Sequence, residues 1–278
     1  MTLFILKSFP CSIRRVNLSH NMKQKTKKRL FSASVTAFTA CVFAAAAYTG
    51  KLLSSVRDGI DRLPNDFTIT AHTGANKTEM NTLNSLSVSL DSSADIAEID
   101  LNFTRDGTPV LSHNTPEDGC PLLTDAFKIV SENATKKINV DVKTTAFLEK
   151  VPEIAEKTGI SDRIFFTGIE LKDIDAVRTK APGLMYYLNF KPDRTRLDEK
   201  DYLLELVKTV KDAGAVGLNI SLKYSSDKLV RVFHENGLLV SAWTANSITD
   251  MLRVLKTAPD NITTKRPDVL SAVIDFLK

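Results

Sequence analysis

Two runs, Phe67-Thr68-Ile69-Thr70-Ala71-His72 and Ile96-Ala97-Glu98-Ile99-Asp100-Leu101-Asn102-Phe103, decide how this chain is read. Each is a short apolar run rich in β-branched and aromatic residues, the pattern of a buried strand. Side chains of a strand alternate between faces, so Glu98 and Asp100, two residues apart, point to the same side. Ile96, Ala97, Ile99 and Leu101 around them make the strand apolar enough to be buried. Buried carboxylates need a partner or a metal.

Outward from these runs, short apolar stretches alternate with longer stretches of helical period, which predicts βα repeats and a parallel sheet. The strands are expected at Phe67 to Ala71, Ile96 to Phe103, Ile138 to Val142, Ile164 to Phe166, Leu184 to Leu188, Val216 to Ile220, Leu239 to Trp243 and Asn261 to Thr263. Helices are clearest at Phe147 to Lys157, Leu171 to Lys180, Glu199 to Ala213, Asp227 to Glu235, Ile248 to Lys256 and Pro267 to Leu277. Gly159, Gly214 and Gly237 each stand just past a helical stretch, where a left-handed residue is wanted. Eight such units predict an α/β fold, a (β/α)8 TIM barrel. The competing doubly wound sheet lacks its Gly-rich loop between the first strand and a helix. One unit is irregular: Arg105-Asp106-Gly107-Thr108 reads as a hairpin turn that returns Pro109 to Ser112 along the second strand and brings His113 back toward the strand ends.

The 278 residues accommodate one barrel of ~250 residues with a tail. The net charge of +4 owes much to Arg14, Arg15, Lys23, Lys25, Lys27, Lys28 and Arg29. With no basic run interleaved with aromatics in the globular part, nucleic acid is not an expected partner. Cys11, Cys41 and Cys120 allow no disulfide within the barrel domain.

Residues 30–50 lack charge and follow a basic cluster, the order shared by export signals and membrane anchors. The expected organisation is a basic tail over 1–29, with 1–21 a candidate untranslated stretch because Met22 would open a conventional signal. A transmembrane anchor or signal peptide follows at 30–50, a linker at 51–65 and the barrel at 66–278. The basic cluster puts the domain on the extracytoplasmic side, tethered to the cell membrane by a single pass or secreted after cleavage.

A barrel enzyme builds its active site at the C-terminal ends of the strands. The polar residues expected there are His72, Glu98, Asp100, His113, Asp141, Lys143, Asn189, Asn219, Trp243 and Thr244. Three carboxylates with waters or substrate oxygens suit a hard divalent cation, Ca2+ or Mg2+, better than zinc. An ion pair with Lys143 is the structural alternative for Asp141, and core packing is the first expectation for Trp243, with a substrate-facing wall as its alternative.

These residues resemble the glycerophosphodiester phosphodiesterase family, whose hallmarks are His-Arg-Gly after the first strand, Glu-x-Asp on the second, and Asp-Gly followed by His-Asp. At the far end, Gly237-Leu238-Leu239-Val240-Ser241-Ala242-Trp243-Thr244-Ala245-Asn246 is similar to the family's Gly-Leu-x-Val-x-x-Trp-Thr-x-Asn, and Thr263-Thr264-Lys265-Arg266-Pro267 stands where the family has Thr-Asp-x-Pro. The likeness runs from about Ile69 to Leu277. It implies that His72 and His113 are the acid/base pair, that Glu98, Asp100 and Asp141 hold a divalent metal, and that Lys143 contacts phosphate. The implied reaction releases glycerol 3-phosphate and an alcohol from a glycerophosphodiester or related glycerol-phosphate substrate.

The chain departs from the family's pattern at four places. Thr73 replaces a phosphate-contacting arginine, Met80 a glutamate, Asn114 an aspartate and Asp141 a glutamate. Thr73 offers one hydroxyl in place of a bidentate donor, and Glu79 sits one position early as a substitute for the missing acid. Thr73, Glu79 and Trp243 therefore join Lys143 as candidate substrate contacts. The alternatives to the hydrolase are a catalytically reduced relative that binds glycerol-phosphate headgroups, and a related phospholipase-type phosphodiesterase.

Overall fold

The computed structural model describes residues 49–278. Eight parallel strands close a barrel in the order β1 (Thr68–Ala71), β2 (Ile96–Phe103), β4 (Lys137–Val142), β5 (Ile164–Ile169), β6 (Tyr186–Asn189), β7 (Gly217–Ser221), β8 (Leu239–Trp243) and β9 (Asn261–Thr264). Closure is made by β1, which pairs β9 on one side and β2 on the other, with Thr70 opposite both Thr263 and Ile96. The short β3 (Pro109–Leu111) runs antiparallel on β2 through the expected hairpin, Leu111 opposite Leu101. Gly107 turns that hairpin at φ 79°, its amide donating to the Thr104 carbonyl at 2.9 Å.

Outside the barrel lie α1 (Leu83–Asp91), α2 (Leu123–Glu132), α3 (Lys150–Thr158), α4 (Ile174–Lys180), α5 (Lys200–Ala213), α6 (Asp227–Glu235), α7 (Ile248–Leu255) and α8 (Pro267–Leu277). The expected glycine stops are present: Gly159 and Gly214 cap α3 and α5 in the left-handed conformation, and Gly237 follows α6 at φ 72°. The helices α1 and α2 are absent from the clearest sequence-predicted ones. Ser85, Ser87 and Ser89 dilute the apolar stripe of α1, and the hydroxyls of Ser87 and Ser89 bond back to Leu83 and Ser85 carbonyls. Its start was nevertheless marked, since the Thr82 hydroxyl accepts from the Ser85 amide at 3.1 Å as an N-cap.

The apolar faces of strands and helices meet in two clusters between barrel and helices. One joins Ile99, Leu101, Val140, Phe166 and Leu218 to Phe127, Leu203 and Phe233. The other joins Ile69, Ala71 and Ile262 to Met251, Leu255, Leu270 and Ile274. Truncating a fully buried phenylalanine such as Phe127 or Phe233 to alanine is expected to cost ~3–5 kcal/mol. The barrel interior is different. Thr70, Glu98, Asn139, Thr167, Asn219, Ser241, Asn261 and Thr263 are all buried, where branched aliphatic side chains usually fill the lumen. They satisfy one another: Thr167 Oγ1 donates to Asn139 Oδ1 at 3.0 Å, Asn261 Nδ2 to Thr70 Oγ1 at 2.8 Å, and Ser241 Oγ to Asn261 Oδ1 at 3.1 Å.

Two sequence expectations about the N-terminal part change here. Part of the stretch read as a linker is helical: residues 49–60 form a helix, within which Val56 and Ile60 are buried in the second cluster. The expected membrane or signal anchor, and with it the single-pass extracytoplasmic localisation, is corrected: among the described residues no helix is long and apolar enough to cross a membrane. The helix over 49–60 carries Lys51, Arg57 and Asp58, and the barrel helices each keep a polar outer face. Residues 30–48 lie outside the described residues.

Candidate active site

The C-terminal strand ends enclose a cavity of about 400 Å3. Its lining includes His72, Glu98, Asp100, His113, Asp141, Lys143, Asn189, Asn219, Trp243 and Thr244 from the sequence reading, and adds Asn139, Thr144, Thr145, Thr167, Gly168, Lys172 and Thr263.

Glu98 and Asp100 do share the lumen face of β2, and Asp141 stands opposite Asp100 on β4. One oxygen from each of Glu98, Asp100 and Asp141 lies within 4.8 Å of the others. Glu98 is only 5% exposed. Its Oε2 accepts the Thr73 amide at 2.9 Å, and burial, reinforced by the charges of Asp100 and Asp141, pushes its carboxyl well above the usual range. Asp100 behaves oppositely. Burial pushes it up, but the charge and hydrogen bond of Lys143, with the Asn81 amide and His113, outweigh that and hold it below its ordinary value. Lys143 Nζ stands 2.7 Å from Asp100 Oδ1 and 2.6 Å from Asp141 Oδ2, so the ion pair named as an alternative for Asp141 is present. Burial lowers the Lys143 ammonium and the two aspartates more than restore it. A cluster of this make-up can coordinate a divalent metal.

The histidines flank the acids. His72 follows β1, its ring Nδ1 2.8 Å from the Thr73 carbonyl and 3.6 Å from Glu98 Oε2. Burial, the largest influence, holds its pKa below the ordinary value. His113 follows β3 and is more exposed, with Nδ1 3.2 Å from Asp100 Oδ2. The hairpin aims it, because the Ser112 amide donates to the Asp100 carbonyl at 3.0 Å.

Two candidate substrate contacts stand elsewhere. Thr73 is buried, and its hydroxyl accepts the Asn81 amide at 2.7 Å; neither it nor the exposed Glu79 lines the cavity. Trp243 ends β8, is 39% exposed and lines the cavity wall, so of its two expected positions core packing is corrected and the wall is the one observed. Met80 is exposed, with its sulfur 3.2 Å from Lys265 Nζ.

Three neighbours of the acids were not singled out from the sequence. Asn81 Nδ2 donates to Asp100 Oδ2 at 2.8 Å while its Oδ1 accepts the Asp100 amide at 3.2 Å. Thr167 Oγ1 donates to Asp141 Oδ1 at 3.2 Å. Gly168 sits at φ 79° where β5 slips register against β6, and a Cβ there would meet the Val142 backbone and lie 2.5 Å from Asp141 Oδ1. Its available signal was a Thr-Gly step inside an apolar strand, which marks a bulge or a close approach.

The glycerophosphoryl diester phosphodiesterase family model matches residues 114–269. The chain belongs to this family. It is an enzyme of the phosphodiester hydrolase type. No curated protein matches the sequence. Solved structures share the fold, among them a glycerophosphodiester phosphodiesterase from Parabacteroides distasonis, with TM-score 0.62, 16% identity, and 75% of this chain and 97% of that chain covered. A phosphodiesterase from Oleispira antarctica, in complex with the product sn-glycerol-3-phosphate, gives TM-score 0.62 at 17% identity over 78% of this chain and 99% of its own. A glycerophosphodiester phosphodiesterase from Agrobacterium tumefaciens gives TM-score 0.61 at 15% identity over 74% and 99%. The phosphodiesterase match begins one residue after His113, so His72, Glu98, Asp100 and His113 join the family's region through the barrel geometry.

Proposed function

We propose that the chain hydrolyses glycerophosphodiesters to glycerol 3-phosphate and an alcohol, using His72 and His113 for proton transfer and Glu98, Asp100 and Asp141 to hold a divalent cation, Ca2+ or Mg2+. The observation that carries this reading is the convergence of three carboxylates, within 4.8 Å, beneath both histidines on one cavity. Family membership and the glycerol 3-phosphate bound by the Oleispira phosphodiesterase support the product. The donor set fits the metal: Glu98 is buried beside two other carboxylates and, among the described residues, has no lysine ion pair of its own. When bound, such a cation neutralises the phosphate and stabilises charge developing at phosphorus.

Water attacks phosphorus and the bond to the alcohol oxygen breaks, so one proton must leave the nucleophile and one must reach the leaving alkoxide. His72 suits the first task. Its Nδ1 donates to the Thr73 carbonyl, leaving Nε2 with a free lone pair, and a lowered pKa keeps the ring neutral near pH 7. His113 suits the second, at the more open side of the cavity with Nδ1 oriented by Asp100. Lys143 contributes positive charge to the bound phosphate in place of an arginine at position 73, and Trp243 forms a wall for the substrate.

One observation favours a second reading, a relative that binds glycerol-phosphate headgroups with reduced turnover: Lys143 bridges Asp100 and Asp141, two of the three metal-binding acids. The deciding experiment is release of glycerol 3-phosphate from glycerophosphocholine and glycerophosphoglycerol with Ca2+, Mg2+ or EDTA, beside His72→Ala and His113→Ala. Turnover abolished by EDTA and in both variants supports the hydrolase. A folded, metal-loaded protein that binds glycerol 3-phosphate without turnover selects the second reading.

A further inference from the structure

The loops after β6 and β7 form a second concavity, lined by Lys191, Pro192, Asp193, Arg194, Lys223 and Tyr224. Lys191 stands two residues beyond Asn189, and Lys223 four beyond Asn219, both asparagines of the catalytic cavity. Two residues of extended chain span at most ~7 Å, so the concavities open beside each other on one rim.

Its charge is one-sided, with three cations against one carboxylate. Asp193 is already engaged, its Oδ1 accepting the Thr195 amide at 2.9 Å and the Thr195 hydroxyl at 2.7 Å. Among the described residues neither Lys191, Arg194 nor Lys223 pairs with a carboxylate, whereas Lys172, Arg196, Lys208 and Arg231 each do. Lys223 Nζ lies 5.0 Å over the ring of buried Tyr224, which steadies it at the pocket edge. Three exposed, unpaired cations around a recess beside a phosphodiester site form a place for another anion.

We propose that this recess is a second phosphate subsite, and that the preferred substrates are glycerophosphodiesters whose alcohol carries a further phosphate. The proposal rests on the phosphodiesterase reading above. Lys191, Arg194 and Lys223 hold the added phosphate while the diester lies among the acids and histidines.

The test compares glycerophosphoglycerol with the same diester bearing a phosphate monoester on its far glycerol, using the full chain. The phosphorylated substrate should show a KM about five- to ten-fold lower, the worth of a few exposed charge pairs. That advantage should vanish in the Lys191→Ala/Arg194→Ala/Lys223→Ala protein and fade with added salt, while kcat/KM for glycerophosphoglycerol stays unchanged. No advantage in the unmodified protein, or an equal fall for both substrates in the variant, overturns the subsite. If neither diester is cleaved, the phosphodiesterase reading fails separately. Calorimetric titration of the phosphorylated diester then decides the subsite, with tighter binding to the unmodified chain than to the variant supporting it and equal binding overturning it.

Discussion

Lys143 stands between Asp100 and Asp141, its Nζ 2.7 Å from one carboxylate and 2.6 Å from the other. A single ammonium thus balances two of the three acids that a divalent cation would use. Lys143→Met is expected to leave two facing carboxylates without a cation, lowering stability in EDTA by roughly 1–3 kcal/mol, less than the ~3–5 of a fully buried pair because the lysine keeps some exposure. The gain in Tm on adding Ca2+ or Mg2+ should be larger in the variant. Thermal melts with and without metal read both effects, and an unchanged metal response would argue that Lys143 does not share the cation's position.

Glu98 should give the metal-free protein a distinctive pH dependence. Its folded pKa is raised above the ordinary 4.5, so between that value and the folded one the native state binds more protons than the unfolded state, and stability falls as pH rises. Glu98→Gln removes this contribution. In EDTA, calorimetry should find the native protein losing stability relative to Glu98→Gln as pH climbs above the usual carboxylate range, and parallel curves would contradict the burial of a titrating acid.

Replacing either histidine with alanine should cut turnover by about 10²–10⁴-fold, the usual worth of a general acid or base. The two should differ in leaving-group sensitivity. If His113 protonates the alkoxide, a diester with a good leaving group such as p-nitrophenol recovers much of the His113→Ala loss and little of the His72→Ala loss; the reverse pattern would exchange the roles.

Gly168→Ala tests the close approach beneath the acids. A left-handed φ of 79° and a Cβ directed at Val142 and Asp141 predict a loss of roughly 2–4 kcal/mol. Metal affinity should weaken with it, because Asp141 is the side chain that must yield. A stable variant with normal metal binding would show that β5 relaxes there.

Asn81→Ala should act through Asp100, which loses an amide donor and an acceptor for its own backbone. Partners of metal ligands typically matter by ~10–100-fold in affinity. Titration calorimetry with Ca2+ or Mg2+ measures it directly, and Asn81→Asp, which keeps the acceptor but places a second negative charge beside Asp100, separates the donor from mere size.

Where local pattern determined the outcome, the chain was legible. Ile96–Phe103, Leu239–Trp243 and Asp227–Glu235 form with the expected boundaries, because strand-like apolar patterning or an amphipathic helical period marks them, and the closed barrel follows from the number of units. Asn81 and Thr167 were not legible, and Gly168 was marked only as a Thr-Gly step inside an apolar strand. Their roles come from contacts with Asp100 and Asp141 that form only when β1, β2, β4 and β5 stand side by side, and no spacing along the chain encodes that adjacency. Trp243 stayed open between two readings for a similar reason: an aromatic residue at the end of an apolar strand suits either the core or the cavity wall, and only the assembled barrel separates the two.

Asn139 touches the cavity at the C-terminal strand ends and another recess at the opposite end of the barrel, within a lumen of threonine, serine and asparagine. Cohesion and chemistry therefore reside in different shells of the molecule. The outer shell of isoleucine, leucine, valine and phenylalanine buries the apolar surface, while the inner shell is a hydrogen-bonded lattice in which each buried group depends on its neighbour for a partner. Changing one lumen residue therefore strands the donor or acceptor of another, so this interior is expected to accept paired substitutions more readily than single ones.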